Sequence, residues 1–174
     1  MECMEISKLS SQTLKIRGKK TALLIDPVKE TPKTACDGVI VLSAQEIDMS
    51  RSEGARVFIK GAGEYEVGGI KISAQMFGAE LVYGFIIDGI RFLVATSQGL
   101  KNAKDLKEYH VLLVNARDAI DSSLVTSVAP RLLVLYGENA EKVAQSIGKE
   151  AQTMSRYSVT SDKLPEEMQV VILA

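Results

Sequence analysis

The segment Gly61-Ala62-Gly63-Glu64-Tyr65-Glu66-Val67-Gly68-Gly69-Ile70-Lys71-Ile72-Ser73 decides how the rest of the chain is read. Polar and apolar residues alternate from Glu64 to Val67, a glycine pair intervenes, and the alternation resumes to Ser73. Period two on both sides of a two-residue glycine turn predicts a β-hairpin. A second hairpin follows at once. Glu80 to Ile87 runs into Asp88-Gly89, a pair suited to a type I′ turn, and Ile90 to Ala95 returns. Gly84 inside the first arm points to a bulge or to a close approach of another part of the chain.

Towards the N-terminus the chain continues as short strands. Met4 and Ile6, then Leu14 and Ile16, are spaced for one face of a sheet, and Arg17-Gly18-Lys19-Lys20 is a polar turn. Thr21 to Ile25 is a more buried strand that ends at Asp26-Pro27, because proline has no N–H for a ladder. Residues 28–36 read as loop, Val39 to Leu42 as a buried strand, 45–54 as loop or short helix, and Arg56 to Lys60 as strand. Towards the C-terminus the pattern changes. Val111-Val114, Arg131-Leu135 and Gln169-Leu173 are apolar strands. Between them lie a helix capped by Asp121 or Ser122 that stops before Pro130, and a helix from Asn139 to Gly148. A meander followed by strand-helix alternation predicts an α/β fold of two sheets packed face to face, with helices outside. The 174 residues contain no repeat or linker and are read as one domain, 1–174.

Composition narrows the chemistry. The chain has 21 Lys+Arg, 22 Asp+Glu and a formal net charge of -1, so the totals do not indicate a nucleic-acid footprint. It holds one histidine, His110, and two cysteines, Cys3 and Cys36, too few for a zinc site built from several such ligands. Both cysteines read as small buried hydrophobes. Acidic residues stand where a signal peptide carries positive charge, and no apolar run approaches membrane-spanning length, so a cytoplasmic protein without a membrane partner is expected.

The segment Gly61 to Gly69 resembles a Gly-Pro-Gly-Glu-Tyr-Glu-Val-Gly-Gly stretch of the metallo-β-lactamase-fold superfamily, in its branch of small ascorbate-phosphate-lactonase-like hydrolases. Leu23-Pro27, Ile87-Arg91, Pro130-Val134 and Lys163-Glu167 resemble further segments of that branch, in the same order. The resemblance implies a four-layer αβ/βα sandwich. It also implies one or two metals, usually zinc or manganese, held through Ser-His-x-His-x-Asp-His after the Val39-Leu42 strand. Here that stretch is Ser43-Ala44-Gln45-Glu46-Ile47-Asp48-Met49, in which Ser43 and Asp48 match and Ala44, Glu46 and Met49 replace histidines. The remaining ligand positions fall near Ser10-Ser11-Gln12, within 73–80, near Ser97 and near Gly137. Nothing there is an imidazole, and His110, opening a strand, reads as structural.

The expectation is therefore a degenerate member: no catalytic residues, no metal, no cofactor, and a vestigial pocket around Ser43, Glu46, Asp48, Ser97 and Asn115. It would serve as a binding, scaffolding or subunit-interface module with a protein partner, a homodimer included. Two alternatives stay open: a rebuilt enzyme site in which Glu46 and Asp48, with Asp26, hold a hard ion, and a nucleic-acid-associated module, by analogy of fold alone. Gly61-Ala62-Gly63 lacks the ending of a phosphate loop. Ser146 to Lys149 straddles a helix end, and Cys36 with His110 makes a dyad only if the fold joins them. Arg17-Gly18-Lys19-Lys20 reads as solvent-facing, and Met76, Phe77, Leu81 and Tyr83 as core.

Overall fold

The computed structural model describes residues 3–43, 46–106 and 108–174. Among them the chain forms β1 (Met4–Lys8), β2 (Leu14–Arg17), β3 (Ala22–Ile25), β4 (Thr34–Ala35), β5 (Gly38–Ile40), β6 (Ser52–Glu53), β7 (Val57–Ile59), β8 (Gly63–Val67), β9 (Ile70–Phe77), β10 (Glu80–Ile87) and β11 (Ile90–Thr96). Then come α1 (Ser97–Asn102), β12 (Val111–Asn115), α2 (Ser122–Val128), β13 (Leu132–Tyr136), α3 (Ala140–Ile147), β14 (Ala151–Met154), β15 (Arg156–Val159) and β16 (Gln169–Leu173). One sheet has the order β15-β1-β2-β3-β5-β7, and a larger one β14-β16-β13-β12-β11-β10-β9-β8. Both are mixed: antiparallel along the meander, parallel where β3, β5 and β7 meet and where β11, β12, β13 and β16 meet.

Period-two alternation assigns each side chain to a layer. Ile6, Ile16, Leu23 and Ile40 of the smaller sheet meet Ile72, Tyr83, Phe92 and Val134 of the larger one in the central core. The intervening residues Leu93, Leu112, Leu133 and Val170 face outward, where they bury Leu100 of α1, Val125 of α2 and Val143 of α3. The expected sandwich of two face-to-face mixed sheets is what forms, with helices outside the larger sheet. Outside the smaller sheet the covering layer is irregular instead. Leu24 and Val39 are covered by Leu9, Cys36 and Ala55, and the short β4–β6 pair stands near them. The polar composition of 28–36 and 45–54 forms a two-residue bridge and a 3-10 turn at Met49–Arg51, because it offers no apolar stripe for a helix to bury.

Both hairpins form in the expected register, and Gly84 pairs on both sides without a bulge. Its lack of a Cβ admits the Tyr109 hydroxyl, which would lie 2.8 Å from an added methyl carbon. Of the four apolar residues expected in the core, Leu81 and Tyr83 are buried and Phe77 packs beneath the helices, whereas Met76 is 49% exposed. Asp121 caps α2 by accepting from the Ser123 N–H. Asn139 does not cap α3; its side-chain amide donates to the Arg117 carbonyl. The strands β14 and β15, each at a sheet edge, escaped the sequence reading because their residues are mostly polar and exposed.

Candidate functional site

The carboxyl ends of β11, β12 and β13 are in register, Thr96 beside Asn115 beside Tyr136. In sheets with parallel strands this edge is where ligands gather, since loops there diverge and leave a crevice. A cavity of about 680 Å³ opens at that edge, lined by Lys8, Gln12, Ser43, Asn115, Arg117 and Gly137 among others. Glu80, Asp118 and Glu138 add negative charge to its wall.

Asp26 anchors the smaller sheet's side of this edge. It follows β3 with φ of 49°, a left-handed conformation that Asp tolerates better than most residues. Its buried carboxylate accepts from the Leu42 N–H at 2.7 Å, the Ser43 N–H at 3.1 Å and the Ser43 hydroxyl at 2.8 Å. Its own carbonyl accepts from the Thr13 hydroxyl at 2.7 Å, and Thr13 in turn lies against Thr31 and Ser10. Burial raises the Asp26 carboxyl above the ordinary carboxylate value, against the lowering pull of its Leu42 and Ser43 donors and the Arg117 guanidinium. The Tyr83 hydroxyl donates to the Val41 carbonyl at 2.6 Å. Tyr136 is fully buried, and its hydroxyl has no hydrogen-bond partner among the described residues. Burial and the nearby Asp26 charge push both phenols upward, so neither is a ready proton donor at neutral pH.

The five residues anticipated for the pocket separate into three places. Ser43 and Asn115 line the cavity. Ser97 lies buried against it, donating to the Asn115 carbonyl at 3.2 Å and accepting from the Arg117 and Asp118 N–H groups at 3.0 and 3.2 Å. Its hydroxyl ties the end of β11 to the loop after β12. Glu46 and Asp48 line an adjoining groove that shares only Ser11 and Gln12 with the cavity. The Asp48 carboxylate is engaged locally: it accepts from the Ser50 N–H, the Ser50 hydroxyl and the Arg51 guanidinium, which hold it below the usual carboxylate range. Asp26, Lys8 and Arg117 complete the site without having been singled out for it. Asp26 was considered only as an oxygen ligand, and the signal that marks it is an Asp-Pro closing a buried strand.

The donors present do not fit the zinc or manganese centre that the fold implies. Among the described residues no three His, Cys, Asp or Glu side chains converge. Ser97 is consumed by loop bonds. Gly137, near which the last histidine is expected, has φ of 94°, and a Cβ there would stand 2.6 Å from Asn115 Oδ1. A side chain at this position would be strained by the left-handed backbone and would have to displace the Asn115 amide. Ala44, another histidine position, lies outside the described residues, as does Gln45. His110 sits at the opposite end of β12, about 17 Å from Asn115 at roughly 3.3 Å per residue. There its Nδ1 accepts from the Arg91 N–H at 3.0 Å, and burial together with Arg131 and Arg91 lowers its pKa. Cys36 packs on Leu24 and Val39 outside the smaller sheet, so the fold does not join it to His110.

Comparison with protein-family models finds no match, and comparison with curated proteins finds none either. Solved structures do match. A proposed zinc-dependent hydrolase of the metallo-beta-lactamase superfamily from Thermotoga maritima superposes with a TM-score of 0.73 at 17% identity, covering 98% of each chain. A proposed metal-dependent hydrolase from Parabacteroides distasonis gives 0.60 at 13% identity over 96% of this chain and 92% of that one. A metallo hydrolase from the archaeon Ignicoccus hospitalis gives 0.55 at 13% identity, over 97% and 95%. The chain has the metallo-β-lactamase fold. At these identities the likeness is one of fold, and the chemistry rests on this chain's own residues.

Proposed function

We propose that this protein is a non-catalytic, metal-free metallo-β-lactamase-fold module that binds a partner instead of hydrolysing a substrate. The observation that carries the reading is at Gly137. Near the place where the last imidazole is expected at the strand ends, Gly137 has a left-handed backbone and no side chain, and the Asn115 amide oxygen stands where its Cβ would be. A hydrolase of this fold needs fixed ligands to lower the pKa of a bound water to about 7, and neither Ser97 nor Gly137 supplies one. A rebuilt carboxylate site is disfavoured because the Asp48 oxygens are engaged by Ser50 and Arg51. The polar cavity, with Lys8, Arg117, Glu80 and Asp118 in its wall, suits a protein surface of mixed charge, a second copy of this chain included. No helix among the described residues is long and apolar enough to cross a membrane.

Protein purified without chelator and analysed for metals is expected to carry far less than one zinc or manganese per chain. Stoichiometric metal that disappears in Glu46→Ala/Asp48→Ala, accompanied by turnover, overturns the proposal.

A further inference from the structure

A second groove, of about 700 Å³, lies at the opposite end of the smaller sheet. Among the described residues it is lined by Lys15, Arg17, Lys19, Lys20 and Arg56, with Asp37 and Glu53 as the acids. Five cations in one concavity stand out in a chain whose formal charge is -1. Among the described residues none of the five makes an ion pair, the pairs found being Arg51–Asp48 and Arg156–Glu5; Lys19 also faces a small cavity with Asp88 and Asp162. One of the two acids is already engaged, Asp37 accepting from the Ala22 N–H at 2.8 Å.

The loop that carries Lys19 and Lys20 is held rigidly. The Gly18 N–H donates to the Thr21 carbonyl, the Lys19 N–H to the Asp88 carboxylate at 2.8 Å, and the Thr21 hydroxyl to the Gly68 carbonyl at 2.8 Å. The β8–β9 and β10–β11 turns of the larger sheet therefore clamp it. Contact is close enough that a Cβ at Gly18 would fall 2.5 Å from an Ile87 methyl, and one at Gly68 2.6 Å from the Thr21 hydroxyl. Lys15 and Arg17 project from β2 on the face opposite the core residues Leu14 and Ile16, where no helix covers the sheet. Fixed backbone beneath unpaired cations reduces the ordering cost of binding an anion.

We infer that this groove binds a small ligand bearing two or more phosphates. Oligophosphate charge matches the surplus of cations within the groove, and Arg17 and Arg56 offer forked donors for phosphate oxygens. A nucleic-acid strand is the poorer fit. Among the described residues the groove lining contains no aromatic residue on which bases could stack. The inference is independent of whether the strand-end cavity at Asn115 is catalytic.

The test is titration calorimetry of the full chain with sodium tripolyphosphate, at about 50 mM and about 200 mM salt. Binding is expected, weakening with salt, with the affinity falling at least about ten-fold in Lys15→Gln/Arg17→Gln. Lys71→Gln, on the exposed side of a hairpin outside the groove, is expected to leave it unchanged. If the first double variant fails to fold, Lys20→Gln/Arg56→Gln, both exposed, replaces it. Absence of binding, or equal affinity in a folded groove variant, overturns the inference. So does tighter, groove-dependent binding of a single-stranded RNA than of tripolyphosphate, which would make the surface a nucleic-acid site.

Discussion

The two ends of this sandwich are closed by different devices. At the carboxyl ends of the parallel strands, a single buried carboxylate, Asp26, gathers three donors from Leu42 and Ser43 and holds the loop that follows β5. At the other end, backbone turns interlock: Gly18 against Ile87, Gly68 against Thr21, and Lys19 on Asp88. The first end concentrates its stability in one ionisable group and leaves a polar cavity beside it. The second spreads its stability over several close contacts of turn backbone with the Ile87, Thr21 and Asp88 side chains. An end built on one carboxylate holds its loops through Asp26 itself, independently of any ligand in the neighbouring cavity.

The contrast is broken most forcefully at Asp26. Asp26→Ala leaves two N–H groups unsatisfied and places alanine in a left-handed conformation, and is expected to cost about 3 kcal/mol or more. Thr21→Ala at the other end removes one hydrogen bond and is expected to cost about 1 kcal/mol. Urea unfolding of both variants decides the matter: equal losses would mean that the two ends are not differently built. The same carboxylate predicts a pH signature. Because burial raises its pKa, the native state binds the proton more tightly than the unfolded chain. That contribution to stability is fully present below the unfolded carboxylate value and is lost as pH rises through the raised native value. Asp26→Asn, which does not titrate, is expected to flatten the stability profile in that window, measured as the urea midpoint against pH.

The turn-clasped end was the more legible in the sequence. Gly68-Gly69 and Asp88-Gly89 announce their turns, and period two fixes which residues face the core. Gly84 was read with its alternatives, and the structure chose the close approach, because Tyr109 arrives from a loop that local pattern cannot place. The site end was legible mainly as an absence of histidine. The positions of Ser43, Ser97 and Asn115 near one cavity follow from parallel strands ending together. Glu46 and Asp48 fell away from them because the segment forms a self-capped 3-10 turn, a choice made by Ser50 and Arg51 and not by strand register. The gathering of Lys15, Arg17 and Arg56 into a groove likewise depends on strands far apart in sequence, so the Arg17-Lys20 turn looked isolated.

A smaller effect sharpens the picture of the cavity wall. Gly137→Ala forces a methyl group onto Asn115 Oδ1 from a residue with φ of 94°. The combined strain and displacement are expected to cost about 2 kcal/mol. Adding Asn115→Ala relieves the contact but not the backbone conformation, so the double variant recovers only part of the loss in a double-mutant cycle. Full recovery would show that the backbone at this position is free to relax and that Asn115 alone keeps a larger side chain out.

The smallest expected change concerns Tyr136, and it tests whether the site end carries a hidden polar cost. Its hydroxyl is buried, lacks a partner among the described residues and lies in the field of Asp26. A buried donor without an acceptor penalises folding by about 1–3 kcal/mol, whereas the ring itself packs in the central core. Tyr136→Phe retains the ring and removes only the hydroxyl, so stability is expected to stay level or to rise by up to about 1 kcal/mol. A loss of similar size would mean that the hydroxyl donates to an ordered water bridging it to the Asp26 carboxylate. Asp26→Asn and Tyr136→Phe would then be non-additive, and the carboxylate's reach would extend from the β5 loop across to the end of β13.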